Sequence, residues 1–135
     1  MISKQVIVIR KDLKMRLGKC VAQGSHASLA VILKLMREGD LWTERPLPDR
    51  NNIISRDEAV EDWLSGSFTK ICVSVNSEEE LLSIYKQAEE ANLPCALIKD
   101  AGRTEFNGVP TFTCCAIGPA WDKDIDLITK KLSLY

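Results

Sequence analysis

Residues 5–27 read QVIVIRKDLKMRLGKCVAQGSHA and change periodicity partway along. The first six, QVIVIR, form a short β-branched apolar run, the pattern of a buried strand. From Lys19 onward, a turn of about 100° per residue gathers Val21, Ser28, Val31, Ile32, Leu35 and Met36 on one side. That side is expected to face the core, in a helix that runs to Arg37 or Glu38 with Gly39 as its C-cap. Residues 11–18 make the loop between strand and helix. A buried strand feeding a helix is the start of an α/β fold, and the rest of the chain is read outward from it.

Downstream, LWTERPLPDRNN (41–52) carries two prolines and consecutive asparagines, which predicts an irregular excursion. Ser55 with Glu58 has the capping-box spacing and predicts a short helix over RDEAVEDWL. A second strand is expected over 68–75, then a helix from Ser77 and Glu80 to about Ala91 with Leu81, Ile84, Tyr85 and Ala88 inward. Short strands follow at 95–98 and 111–117, and Trp121, Ile125, Ile128 and Leu132 mark a last helix. Crossover helices between the first three strands favour parallel pairing with right-handed connections. No helix joins the third strand to the fourth, so that pair is expected to be antiparallel. The expected fold is a three-layer α/β/α sandwich on a small, mostly parallel four-stranded mixed sheet. It forms one domain over 1–135, in which 39–68 is an insertion.

A net charge of −1 argues against a protein that coats nucleic acid over its whole surface. The charge is nonetheless uneven. Arg10, Lys11, Lys14, Arg16 and Lys19 crowd residues 10–19 with only Asp12 against them, while acids collect at 57–62 and 78–80. The five cysteines include no CxxC pair, and the single histidine leaves no zinc spacing. They read as reduced, buried thiols of a cytoplasmic protein. No apolar run approaches the roughly 20 residues of a membrane span.

Ligands of open α/β sheets bind beyond the carboxyl ends of parallel strands. RKDLKMRLGK (10–19) and KDAGRT (99–104) both fall at that edge. A lysine-rich loop with a glycine at a helix start suits an anion. It is not a P-loop, since GxxxxGK[ST] is absent, and the same cations read equally as solubilising charge. Lys19, Gln23 and His26, at i, i+4 and i+7, form a stripe opposite the apolar side, among the small Ala22, Ala27 and Ala30. From spacing alone the plainer reading of this stripe is a solvated polar face. Asp100, between Lys99 and Arg103, is either an ion-pair partner or a base held ionised by its neighbours. Thr113 is a hydroxyl donor or simply a β-branched strand residue.

DLKMRLGKCVAQGSHA (12–27), KDAGRTEF (99–106), TFTCCAIGP (111–119) and LSLY (132–135), in that order, resemble the archaeal and eukaryotic type of peptidyl-tRNA hydrolase. The resemblance covers about residues 4–38 and 69–135. It implies hydrolysis, without a cofactor, of the ester joining a peptide to the 3′ ribose of tRNA. It also implies the small α/β/α fold and, in some members, homodimers. Lys14, Lys19, Gln23, Ser25, His26, Asp100, Thr104 and Thr113 match the family's functional polar residues. The chain departs at Arg16 and Leu17, where the family usually reads Gly and Lys, and at Gly24, where it reads Cys. Residues 39–68 are longer than the usual connection. Arg16 keeps a charge, with a different reach.

On that implied chemistry, Asp100 takes the water as general base or orienter, with His26 as an alternative base. Lys19 stabilises the oxyanion, and Gln23 and Thr113 orient the ester. Lys14, Arg16 and Arg103 hold phosphates, with Ser25 and Thr104 on the substrate side. No Ser-His-Asp order is evident, so no acyl-enzyme is expected. Two other readings share the fold: a non-catalytic tRNA- or protein-binding module, which Trp42 and Trp63 would suit, and an esterase for other aminoacyl-tRNAs.

Overall fold

The computed structural model describes residues 1–37, 54–103 and 105–135. Gly39, Trp42, the side chain of Ser55, and Thr104 lie outside the described residues. Along the chain come β1 (Ser3–Arg10), α1 (Leu17–Arg37), α2 (Ile54–Asp62), a π-helical turn (Trp63–Ser67), β2 (Lys70–Val75), α3 (Glu78–Glu90), β3 (Cys95–Asp100), β4 (Thr111–Trp121) and α4 (Asp122–Thr129). Ser77 caps α3 as its spacing predicts, its side chain accepting from the Glu80 amide. The α2 helix starts at Ile54, so Ser55 lies inside it rather than ahead of it.

The sheet order is β2-β1-β4-β3. β1 pairs with β2 in parallel, and β4 runs antiparallel to both β1 and β3. Three strands therefore share a direction in a mixed sheet, but β1–β2 is its one parallel pair: β4 lies between β1 and β3, so the parallel pairing expected among the first three strands is made only by the first two. The carboxyl ends of β1, β2 and β3 meet the start of β4 at one edge. Ile7 and Ile9 of β1 pack with Ala27, Val31 and Leu35 of α1 and with Val60 and Trp63. On the other face Val6 and Val8 pack with Leu81, Ile84 and Ala88 of α3 and with Ile125 and Ile128 of α4. This period-two division of β1 between two cores makes three layers. The outer edge of β2 is covered in part by residues 133–135, with Leu134 bridged to Val73.

Two expectations are corrected. The buried side of α1 runs through Cys20, Gln23, Gly24, Ala27, Val31, Ile32 and Leu35, and Val21 is 61% exposed. Small residues let the helix lie close to the sheet, and a reading weighted toward large apolar side chains rotates the face away from them. Gln23 thus leaves the solvated stripe assigned to it and enters the interior. Secondly, the short helix expected over RDEAVEDWL is present as α2, while the excursion expected at 41–52 lies outside the described residues, and it is the reading of Trp63 that changes. Trp63 is 1% exposed, and its Nε1 donates to the Thr69 carbonyl at 2.7 Å. Buried in this way, it is not a surface for a partner.

Gly24 sits in the middle of α1, where a methyl would lie 3.8 Å from Ile7 Cγ2 and 3.9 Å from Ile9 Cδ1, ordinary contact distances. Gly24→Ala therefore removes a helix-interior glycine without a collision. We expect about 0.5–1 kcal/mol more stability in urea unfolding. A loss would show that the α1–sheet spacing tolerates no added carbon.

Candidate active site

The centre of the site is built from three elements that the carboxyl edge brings together. Asp100 closes β3, Lys19 and Gln23 come from the first turns of α1, and Thr113 comes from the start of β4. Lys19 Nζ lies 2.9 Å from Asp100 Oδ1, and the two side chains are only 15% and 14% exposed. Gln23 Nε2 donates to the same oxygen at 3.3 Å. Thr113 Oγ1 donates to Gln23 Oε1. A carboxylate only accepts, so the Gln23 amide must turn its NH2 to Asp100 and its oxygen to Thr113.

Thr113 reaches Gln23 because the sheet is irregular there. Ile98 pairs with Cys114 but Lys99 pairs with Phe112, so Thr113 is the extra residue of a β-bulge. Regular alternation would send Thr113 to the face that Cys115 occupies. Instead Thr113 and Cys114 both address α1: the Cys114 thiol donates to the Gln23 carbonyl at 3.3 Å. Burial pushes the Cys114 thiol up to about 11, so it is a neutral thiol and not a nucleophile.

Asp100 Oδ2 accepts from the Gly102 amide at 2.8 Å, an Asx-type turn that folds the following loop back on the carboxylate. Gly102 has φ +81°. A Cβ there would lie 2.2 Å from the Val109 carbonyl oxygen, so the position requires glycine. Sequence reasoning missed Gly102, although it stands inside KDAGRT. The hydrogen bond from Lys19 comes first in holding the Asp100 carboxyl below the usual carboxylate range. The Gly102 amide, the charge of Lys19 and the Gln23 amide act in the same direction, against burial. An ionised carboxylate offers about four accepting directions. Three are used among the described residues, which leaves one on Oδ2.

The other predicted residues lie around this centre. His26 is exposed on α1, one turn beyond Gln23, with no hydrogen bond among the described residues. Ser25 is exposed too, but its hydroxyl donates to the Val21 carbonyl at 2.8 Å, a bond internal to the helix. Lys14 is exposed and takes φ +52°, left-handed backbone that costs a side-chain-bearing residue roughly 1–2 kcal/mol. Arg16 reaches Glu105 only at 3.9 Å and is 89% exposed. Arg103 is exposed, whereas Arg10 is tied to Asp12 and to the Phe112 carbonyl. Among the described residues the exposed cations here are Lys11, Lys14, Arg16, Arg103 and Lys99, the last with its Nζ 4.8 Å from the Phe112 ring centroid. Among the described residues no three His, Cys, Asp or Glu converge as a metal set, and no helix is long and apolar enough to cross a membrane.

The family model for peptidyl-tRNA hydrolase PTH2 matches residues 3–135. A peptidyl-tRNA hydrolase of Methanocaldococcus jannaschii is 41% identical over 131 residues, covering 97% of this chain and 98% of that protein. One from Saccharolobus solfataricus is 38% identical over 132 residues, with 97% and 98% covered. One from Methanococcus maripaludis is 38% identical over 131 residues, with 97% of each covered.

Two outcomes test the geometry without any assay of activity. Asp100 has a folded value below its unfolded value of about 3.9. Its contribution to stability is therefore full above that pH and lost as the pH falls through the folded value. Acid unfolding of Asp100→Asn is expected to lack that part of the pH dependence. Gly102→Ala is expected to lose at least about 2 kcal/mol in urea unfolding, because backbone must move. Unchanged stability would contradict the close approach to Val109.

Proposed function

The chain belongs to the PTH2 family of peptidyl-tRNA hydrolases, and from that premise we propose how its own residues cleave the ester between peptide and tRNA. The observation that carries the proposal is the largely enclosed Lys19–Asp100 pair, tied through Gln23 to Thr113.

In the reaction the oxygen of a water attacks the ester carbonyl carbon. The carbonyl oxygen gathers negative charge, and the carbon–oxygen bond to the tRNA 3′ oxygen breaks. The water's protons end on that 3′ oxygen and on the solvent, leaving a peptide carboxylate and a free 3′ hydroxyl. Asp100 holds the water through the open direction on Oδ2. Its lowered proton affinity keeps it ionised and accepting but makes it a weak base, so orientation is its main role. Lys19, placed by Asp100, supplies the positive charge that the oxyanion meets. Gln23 and Thr113 act one step back, fixing the carboxylate, and their bonds to each other leave them little to offer the ester.

The depressed basicity of Asp100 favours a second proton acceptor. His26, exposed one turn beyond Gln23, is the candidate. Lys14, Arg16 and Arg103 form the track for the phosphates of the acceptor end, where each contact adds salt-sensitive affinity. Thr104 joins them on the substrate side by its match to the family motif.

The test is release of N-acetyl-amino acid from N-acetyl-aminoacyl-tRNA, with free aminoacyl-tRNA alongside. Lys19→Ala is expected to lower kcat by about a hundred- to a thousand-fold while keeping most tRNA affinity. Between about pH 5 and 8 no inflection should come from Asp100, which stays ionised throughout. An inflection in that range that vanishes in His26→Ala would assign the proton to His26. An unchanged profile in His26→Ala would return it to water alone. Binding of tRNA with no cleavage by the wild-type protein would overturn the catalytic assignment.

A further inference from the structure

One aromatic side chain at the carboxyl edge is used by nothing above. Residues 133–135 run antiparallel beside β2: the Ser74 amide donates to the Ser133 carbonyl at 2.9 Å, and the Tyr135 amide donates to the Cys72 carbonyl at 3.1 Å. This carries the Tyr135 ring to the α1 side of the sheet. Its hydroxyl meets Cys20 Sγ at 3.4 Å, in the first turns of α1 and next to Lys19 in sequence. Held at both ends, the residue remains 45% exposed. Lys11 Nζ lies 5.9 Å from the ring centroid, so the ring borders the loop that carries Lys14 and Arg16. The other rings near this edge, Phe106 and Phe112, are packed against the two cores.

We propose that Tyr135 is a stacking platform for an unpaired base of the tRNA acceptor end, continuing the cationic track past Lys11. The proposal rests on the peptidyl-tRNA reading. Proteins that hold single-stranded nucleic acid combine cations that follow the backbone with aromatic faces on which bases stack, and this edge has both. The backbone bonds and the hydroxyl contact fix the ring before RNA arrives, which reduces the ordering cost of binding. The ring stands across the start of α1 from Asp100 and Arg103, so the substrate end would be held from both sides.

The experiment measures kcat and KM for N-acetyl-aminoacyl-tRNA, and Kd for deacylated tRNA, in Tyr135→Phe, Tyr135→Trp and Tyr135→Leu. A platform predicts that Phe and Trp stay within about twofold of the wild-type protein. Leu, which keeps bulk but has no aromatic face, should raise KM and Kd by about tenfold with kcat nearly unchanged. If Leu hydrolyses and binds like the wild-type protein, the platform is refuted. If Phe lowers kcat as much as Leu does, the hydroxyl acts through Cys20 as a positioning contact and the platform is again refuted. Failure of the wild-type protein to cleave the ester would defeat the functional reading alone, because the Kd comparison would still decide the role of the ring.

Discussion

Lys19 and Asp100 are each taken most of the way out of water, where either charge is costly without the other. Removing a single partner from such a pair typically costs about 3–5 kcal/mol when burial is complete. The pair therefore constrains everything around it. The start of α1 must stand over the end of β3, and the loop after β3 must turn at Gly102 to put an amide on Oδ2. Gln23 must be buried beside them to use its amide on Oδ1. Each hydrogen bond has a donor and acceptor set by chemistry, so the chain Thr113, Gln23, Asp100, Lys19 has one self-consistent arrangement.

The bulge at Thr113 belongs to the same constraint. A regular β4 would place a hydroxyl in the α3 core and leave the Gln23 oxygen buried without a donor, a loss of roughly 1–3 kcal/mol. Inserting one residue into β4 turns Thr113 and Cys114 together toward α1. Its neighbours Cys115 and Ile117 then resume the alternation into the opposite core. The irregularity is local, and the rest of the strand is unaffected by it.

This explains which parts of the molecule were legible in the chain. Strand β1 and helix α3 announce themselves by dense apolar periodicity and Ser77 by its capping chemistry, whereas of the four residues read as marking the last helix only Ile125 and Ile128 lie in α4, Trp121 ending β4 and Leu132 following the helix. Lys19, Gln23, Asp100 and Thr113 could be named from the family resemblance, because whole motifs carry it. Their arrangement could not. Spacing put Gln23 on the solvent side, since Cys20, Gly24 and Ala27 add little to an apolar face while permitting the closest approach to the sheet. The bulge has no composition of its own. Gly102 shows its function only when Val109 is seen across the turn, and the platform ring at Tyr135 depends on a strand pairing between distant segments. Trp63 misled in the opposite sense, being a large aromatic in a polar stretch that turns out to fill the α1-side core.

A nearly neutral protein still has to bring one polyanion to one place. Two helices, α1 and α3, begin at the carboxyl edge, and both present the positive end of a helix dipole there. They differ in sequence. The first turn of α1 holds no acid, while that of α3 holds Glu78, Glu79 and Glu80. Those glutamates complement the α3 dipole, and Glu78 and Glu79 lie close enough to Arg10 to raise its pKa further after Asp12 has done so. The α3 glutamates therefore disfavour phosphate near that helix start and Arg10 is spoken for, while Lys11, Lys14, Arg16 and Arg103 are exposed around the start of α1. Acid on one helix and cations beside the other select a single flank of the sheet for the RNA. That flank is the one on which Lys19 and Asp100 stand.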